Sequence, residues 1–287
     1  IYFVMRVSKR PSATGFWKKQ PPKYGVEAEW DKDAGNYKLY THYDRELAGD
    51  DVGVWFSYET TEGEQLEVRM GVSFVSVENA RLNLEAEQQE RSFDDIRAAA
   101  RRSWNDDLGR IRVEGGTDAQ KKVFYTGLYH ALIHPNVLSD VNGEYPAMES
   151  AEIRTAEGNR YTVFSLWDTY RNLHQLMTLV YPERQLEMVR SMIGMYKEWG
   201  WLPKWELYGR ETFTMEGDPA IPVIVDTWMK GLRDFDMDAA YEAMRKSATT
   251  PGAQNRMRPD IDPYVEKGYV PLGFYARDLS GDNSVSH

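Results

Sequence analysis

The stretch from Phe164 to Pro219 constrains this chain more than any other. It opens Phe164-Ser165-Leu166-Trp167-Asp168-Thr169-Tyr170-Arg171, continues Gly200-Trp201-Leu202-Pro203-Lys204-Trp205-Glu206, and closes Met215-Glu216-Gly217-Asp218-Pro219. Three clusters of Trp, carboxylate, Arg and Gly alternate with apolar segments of helix length. Each cluster therefore falls at a helix end or on a connecting loop, where binding groups collect on a rigid scaffold. Indole faces stack on the C–H faces of a pyranose, and carboxylates accept hydrogen bonds from its hydroxyls. On that chemistry Trp167, Asp168, Arg171, Trp205, Glu216 and Asp218 are candidate sugar-binding residues. The competing reading makes the tryptophans core residues at helix–helix contacts, because aromatics are mostly buried somewhere.

Composition narrows the classes. The 287 residues suffice for one large domain or two ordinary ones, and 41% hydrophobic with 28% charged residues fits a packed core. A formal net charge of -10 lacks the basic face that a nucleic-acid partner requires. The chain has no cysteine, which excludes disulfides, thiolate nucleophiles and Cys-bound zinc. No apolar run approaches the ~20 residues of a membrane-spanning helix. The run beginning at Ile1 reads as the middle of a strand, and Gly281–His287 as a helix N-terminus without its helix. The expectation is a chain truncated at both ends.

Residues 1–76 read as β. Ile1–Val7, Asn36–Tyr43, Val52–Tyr58 and Leu66–Phe74 are β-branched, aromatic or alternating, with turn signals between them. Short strands joined by turns suggest part of an antiparallel β-sandwich. Residues 77–114 read as a helical linker, with Ser92 capping a helix to Leu108 and Asp94 and Asp95 in its first turn. From Gly115 onward the chain reads as helical. Thr117 caps a helix from Asp118 to Ile133, Asp140-Val141-Asn142-Gly143 suggests a hairpin, and two helix pairs follow: Trp167–Val180 with Pro182–Trp199, and Ala220–Leu232 with Asp238–Ser247. Helices joined by short loops, with binding residues at one set of ends, fit an α/α toroid. The fold class is thus mixed: a partial N-terminal antiparallel β-sandwich, a helical linker, and over residues 115–287 a partial (α/α)6 toroid.

Tyr129-His130 with His134-Pro135-Asn136, then Phe164–Arg171, Gly200–Trp205 and Gly217-Asp218-Pro219, occur in an order that resembles glycoside hydrolase family 92. The resemblance covers about residues 115–287, and the β-rich start agrees with it. It implies a calcium-dependent, exo-acting, inverting α-mannosidase that acts on mannose-containing glycans, with Trp167 and Asp168 holding the terminal mannose. A secreted, periplasmic or cell-surface location goes with that chemistry. The family's general acid lies in a Glu-Gly-Asn-x-Trp-Gln run, a His-Gly-Asn-Glu run is associated with calcium, and a Gly-Asn-Asp-Asp run carries the base. None of these occurs in the sequence. Glu157-Gly158-Asn159 matches three letters but precedes Trp167 and continues as Arg160-Tyr161. The resemblance therefore implies that acid, base and calcium ligands all lie beyond His287.

Other constellations carry less. His130 and His134 are four apart but lack the Glu of a His-Glu-x-x-His metal motif. Asp31-Lys32-Asp33 and Asp260-Ile261-Asp262 do not continue as calcium loops and read as surface turns. The alternatives to a mannosidase are an inverting toroid glycosidase acting on glucosides and a non-catalytic carbohydrate-binding protein using the same clusters.

Overall fold

The computed structural model describes residues 1–19, 37–40, 47, 51–88, 90–215, 217–251 and 255–271. Two units emerge, one of Met5–Met70 and one of Ile1–Val4 with Gly71–His287. Strand β1 (Tyr2–Val7) pairs with β5 (Val68–Ser73) in a two-stranded sheet. Strands β2 (Ala13–Lys19), β3 (Tyr37–Tyr40) and β4 (Val52–Ser57) form an antiparallel sheet in the order β3-β2-β4. The central strand β2 was not expected from the sequence, since Gly15 and the two lysines at its end blur its alternation. Trp17 of β2 faces Gly53 of β4, where a Cβ would lie only 2.5 Å from the indole. The predicted strand over Asn36–Tyr43 is observed at Tyr37–Tyr40, and its remaining residues lie outside the described ones, as do Asp31-Lys32-Asp33 and Gly281–His287.

The larger unit opens with helices α1 (Val77–Gln88), α2 (Phe93–Leu108) and α3 (Asp118–Ala131). Two capping boxes set the starts of α2 and α3. Ser92 accepts from the Asp95 N–H while Asp95 accepts from Ser92, and Thr117 exchanges the same pair of bonds with Gln120. Arg101 and Arg102 on α2 are exposed.

The reading of residues 115 onward as helical needs correction. Among the described residues five short strands lie between α3 and the next helix, β6 (Asn136–Val137), β7 (Glu144–Pro146), β8 (Ile153–Thr155), β9 (Tyr161–Thr162) and β10 (Phe164–Ser165), and two more follow Trp199, β11 (Trp205–Leu207) and β12 (Arg210–Glu211). Segments of two or three residues are too short to show a period in sequence. Asp140–Gly143 is a turn ahead of β7, closed by the Gly143 N–H on the Asp140 carbonyl at 2.8 Å, and the hairpin is β7–β8. The helix expected over Trp167–Val180 is two: α4 (Leu166–Thr169) and α5 (Leu173–Val180). The chain turns at Tyr170–Asn172, where the Gln175 side-chain amide donates to the freed Tyr170 carbonyl at 2.8 Å. Asp260-Ile261-Asp262 is not a surface turn. Asp260 is buried and α9 (Ile261–Lys267) starts there, with Pro263 in a first turn that needs no N–H from it.

The core of this unit is built on α6 (Pro182–Trp199), packed against α5, α7 (Ala220–Met229) and α8 (Met237–Thr249). Met188, Val189, Met192 and Met195 of α6 meet Phe164 and Leu166, Val223 and Ile224 of α7, and Ala240 and Ala243 of α8 in one buried cluster. Pro182 opens α6, and Gly200 closes it at φ 93°, a conformation glycine adopts without a Cβ penalty. Both ends of α6 are thereby fixed, and the chain leaving it enters the second Trp cluster.

Candidate functional site

The first two clusters are far apart in sequence and adjacent in space. β10 pairs antiparallel with β11, so that Phe164 opposes Glu206 and Ser165 opposes Trp205, and β11 pairs onward with β12. Glu206 and Glu211 hold this three-stranded platform together. Glu206 is fully buried, and its carboxylate accepts from the Thr162 hydroxyl at 2.8 Å, the Val163 N–H at 3.0 Å and the Gly209 N–H at 2.6 Å. Glu211 accepts from the backbone N–H groups of Lys204, Trp205 and Phe213 at 2.8–2.9 Å. Burial raises both carboxyls above the usual range, and these backbone donors oppose it.

The clamped backbone is strained where the clusters begin and end. Val163, just before Phe164, sits at φ 62°, while Phe213 at φ 55° and Met215 at φ 69° lead into the third cluster. A β-branched residue in the left-handed region is rare and costs of order 1–3 kcal/mol. Glu206 accepts the Val163 N–H and Glu211 the Phe213 N–H, so a buried carboxylate secures each of those two strained residues.

On this platform stands the Trp167–Arg171 turn. Asp168 is exposed, and the Ser165 hydroxyl donates to its carboxylate. Ser165, not Asp168, occupies the N-cap position of α4. Arg171 is exposed and lies over the rings of Trp167 and Tyr170, 5.2 and 5.3 Å from their centroids. An indole, a carboxylate and a guanidinium therefore sit together at one turn, next to Trp205 through its pairing with Ser165. Trp205 is half-buried, and its indole N–H has no hydrogen-bond partner among the described residues.

Asp218 is placed differently. It lies mostly buried, 3.8 Å from the Arg258 guanidinium, and burial raises its carboxyl against the pull of Arg258 and Lys204. Glu216 lies outside the described residues. Lys204 was not nominated from the sequence. It is fully buried between two tryptophan positions, and its ammonium has no hydrogen-bond partner among the described residues. Burial lowers its pKa, opposed by the carboxylates of Glu211, Asp218 and Asp260. The available signal was a lysine inside the apolar run Trp201-Leu202-Pro203-Lys204-Trp205. His130 and His134 are exposed, and no group of three His, Asp or Glu among the described residues is placed to hold a metal ion. A recess of about 590 Å³ lies elsewhere, lined by His134, Asn136, Tyr161, Arg184 and Glu187 among others, and by none of the nominated residues.

Residues 79–287 match the glycosyl hydrolase family 92 catalytic domain. An uncharacterized secreted glycosidase of Arthroderma benhamiae is 27% identical over 218 residues, covering 74% of this chain and 24% of the relative. A family GH92 inverting mannosidase of Bacteroides thetaiotaomicron superposes with a TM-score of 0.83 at 30% identity, covering 94% of this chain and 35% of that one. A second α-mannosidase of that organism, solved in complex with mannoimidazole, superposes at 0.77 and 30% identity over 94% of this chain and 33% of its own. The chain thus spans about a third of the length of these structures.

Proposed function

The chain belongs to glycosyl hydrolase family 92, and from that premise we propose that it supplies part of the sugar site of an exo-acting α-mannosidase. The observation that carries the reading is the Ser165–Trp205 pairing, which brings the Trp167–Arg171 turn and the Gly200–Trp205 cluster together. Trp167 offers a face for the pyranose ring, Asp168 accepts from its hydroxyls, and Arg171 presents donors beside them. Trp205, Glu216 and Asp218 complete the proposed set. The solved relatives described as mannosidases, one of them inverting and one binding mannoimidazole, support mannose over glucose.

The reaction proposed for the whole family domain is single-displacement hydrolysis of a terminal α-mannoside of a glycan. It needs an acid and a base about 6.5–9.5 Å apart with a water between them. This chain's residues would bind and orient the sugar, while the acid and base runs do not occur in its sequence. Calcium enters only through the resemblance. The described residues offer no ligand set for it. The partial sandwich at residues 1–76, the linker at 77–114 and the partial toroid at 115–287 remain the proposed architecture. A secreted, periplasmic or cell-surface location is proposed alongside, in keeping with the secreted fungal relative.

The test is Asp168→Asn in a protein carrying this chain with the rest of the family domain. Asparagine keeps the shape and removes the charge. Charge-assisted hydrogen bonds contribute about 1.5–3 kcal/mol each, so kcat/KM should fall roughly 10–1000-fold. The melting temperature should hardly move, because Asp168 is exposed and Ser165 occupies the N-cap position. Wild-type activity in that variant would remove Asp168 from the sugar site.

A further inference from the structure

Behind the Trp167–Arg171 turn runs a buried chain of hydrogen bonds whose direction is fixed from its far end. The Thr227 hydroxyl donates to the Val223 carbonyl at 2.7 Å, an oxygen that can only accept. Toward Gln185 the Thr227 oxygen is therefore an acceptor, and it takes the Gln185 amide N–H at 2.9 Å. That orients the Gln185 carbonyl at the His174 ring, 3.0 Å from Nδ1. A carbonyl cannot donate, so Nδ1 carries the proton. In a neutral ring Nε2 then holds a lone pair, and its neighbour is the Thr169 hydroxyl at 3.1 Å. Thr169 must donate. Every proton in the series is assigned by one carbonyl on α7.

His174, Gln185 and Thr227 are each no more than 1% exposed. Burial holds the His174 pKa down at about 4, which keeps the ring neutral at ordinary pH. The series links α7, α6 and α5 to the last residue of α4, next to Asp168 and two residues from Trp167.

We infer that His174, as the Nδ1–H tautomer, is a positioning residue that fixes the Trp167-Asp168-Thr169 turn through the Thr169 hydroxyl. It touches no substrate. Its value to catalysis rests on the mannoside reading above, whereas the tautomer and its hold on the turn do not.

The test uses the 287-residue chain and no sugar, so its failure is separable from failure of the mannosidase reading. Nitrogen-15 spectra of the histidine rings should show His174, assigned by loss of its signals in His174→Phe, protonated at Nδ1 and bare at Nε2. With 5-fluorotryptophan incorporated, and the Trp167 and Trp55 signals assigned by Trp167→Phe and Trp55→Phe, Thr169→Val should shift or broaden the Trp167 resonance while that of Trp55, on β4, stays put. Thr169→Val is close to isosteric and keeps the experiment decisive if His174→Phe fails to fold. Thr169→Ser, which restores the hydroxyl, should return the Trp167 signal toward its wild-type position. An Nε2–H tautomer, or a folded Thr169→Val chain with an unmoved Trp167 signal, would overturn the assignment.

Discussion

The Glu206 carboxylate accepts the backbone N–H of Val163 at 3.0 Å, and Val163 stands at φ 62° immediately before the first Trp cluster. A buried acid on β11 thus holds a strained residue at the entrance to β10, and the same acid lies opposite Phe164 across the strand pair. Together with Glu211, that side chain holds the platform that carries the first two Trp clusters.

Glu206→Gln should therefore destabilise the chain without changing its shape. The two carboxylate oxygens take different backbone donors, Oε1 that of Gly209 and Oε2 that of Val163. Whichever becomes an NH2 group, one buried N–H loses its acceptor. Leaving such a donor unsatisfied costs about 1–3 kcal/mol. Urea unfolding should show a lower midpoint at an unchanged slope. An unshifted midpoint would mean that Val163 is held by its neighbours alone.

A further buried acid, Glu198, supports β7 and the turn that follows it. It receives Arg160 at 2.8 Å, the Tyr145 hydroxyl at 2.9 Å and the Met148 N–H at 2.7 Å, and the Arg160 and Glu198 side chains are 4% and 2% exposed. Gly194 on α6 makes room, since a Cβ there would lie 2.5 Å from the Arg160 guanidinium. Removing one partner of a buried pair leaves an uncompensated charge, so Glu198→Ala should cost about 3–5 kcal/mol. The double change Arg160→Met with Glu198→Leu should cost less than that single one. Equal losses in the two proteins, read from thermal melts, would show that packing rather than charge is at stake.

Much of the local structure was legible in the sequence because it is set by neighbours in the chain. Ser92 and Thr117 cap the helices they precede, with partners three residues on, and Pro182 opens α6 as its fixed φ suggests. The apolar faces of α6, α7 and α8 are long enough to show a helical period. The seven short strands were not legible, because segments of two or three residues show no period and some pair far along the chain, as Ser165 does with Trp205. The break after Thr169 was hidden for a related reason: the Trp-Asp-Thr-Tyr-Arg run has acceptable helix formers, and the Thr169–His174 bond across the turn is oriented from Gln185 and Thr227 further along the chain. For the site, sequence chemistry picked out Trp167, Asp168 and Arg171 at one exposed turn. It gave no warning that Asp218 lies mostly buried beside Arg258, or that Lys204, Glu206 and Glu211 are buried beneath the clusters. Charged residues are expected outside, and only the folded chain supplies their backbone partners.

His174 should take stability from the chain as the pH falls from about 6.5 to 4, while the raised Glu206, Glu211 and Asp218 carboxyls contribute in the opposite sense. The folded pKa of His174 is depressed to about 4 by burial, against an unfolded value of 6.5. The unfolded chain takes the proton first, so the contribution is fully present above pH 6.5 and is lost as the pH falls toward 4. The nearby Asp226 carboxylate opposes the shift. The two values differ enough to place the loss at about 3 kcal/mol at most. Urea titrations at several pH values should show that His174→Phe loses less stability over that range than wild type. Parallel slopes would show that His174 does not titrate between the two states.

The last prediction is that residues 1–287 alone release no mannose. Inverting hydrolysis needs two free carboxyl groups about 6.5–9.5 Å apart, one protonated and one not. Among the described residues, the acidic side chains around the proposed sugar site do not supply them; Glu216 lies outside those residues. Glu206 and Glu211 spend their oxygens on buried backbone N–H groups. Asp218 is mostly buried near the Arg258 guanidinium. That leaves Asp168 exposed, with the Ser165 hydroxyl already on its carboxylate. The sequence also lacks the runs to which the family resemblance assigns the acid and base. A purified 287-residue chain should therefore leave an aryl α-mannoside at the background rate, with or without added calcium, while a protein carrying the whole family domain turns it over. Release by the short chain above background, in a preparation shown by mass spectrometry to hold no longer form, would mean that two of its own carboxylates act as acid and base. Asp168 would then be the first residue to substitute.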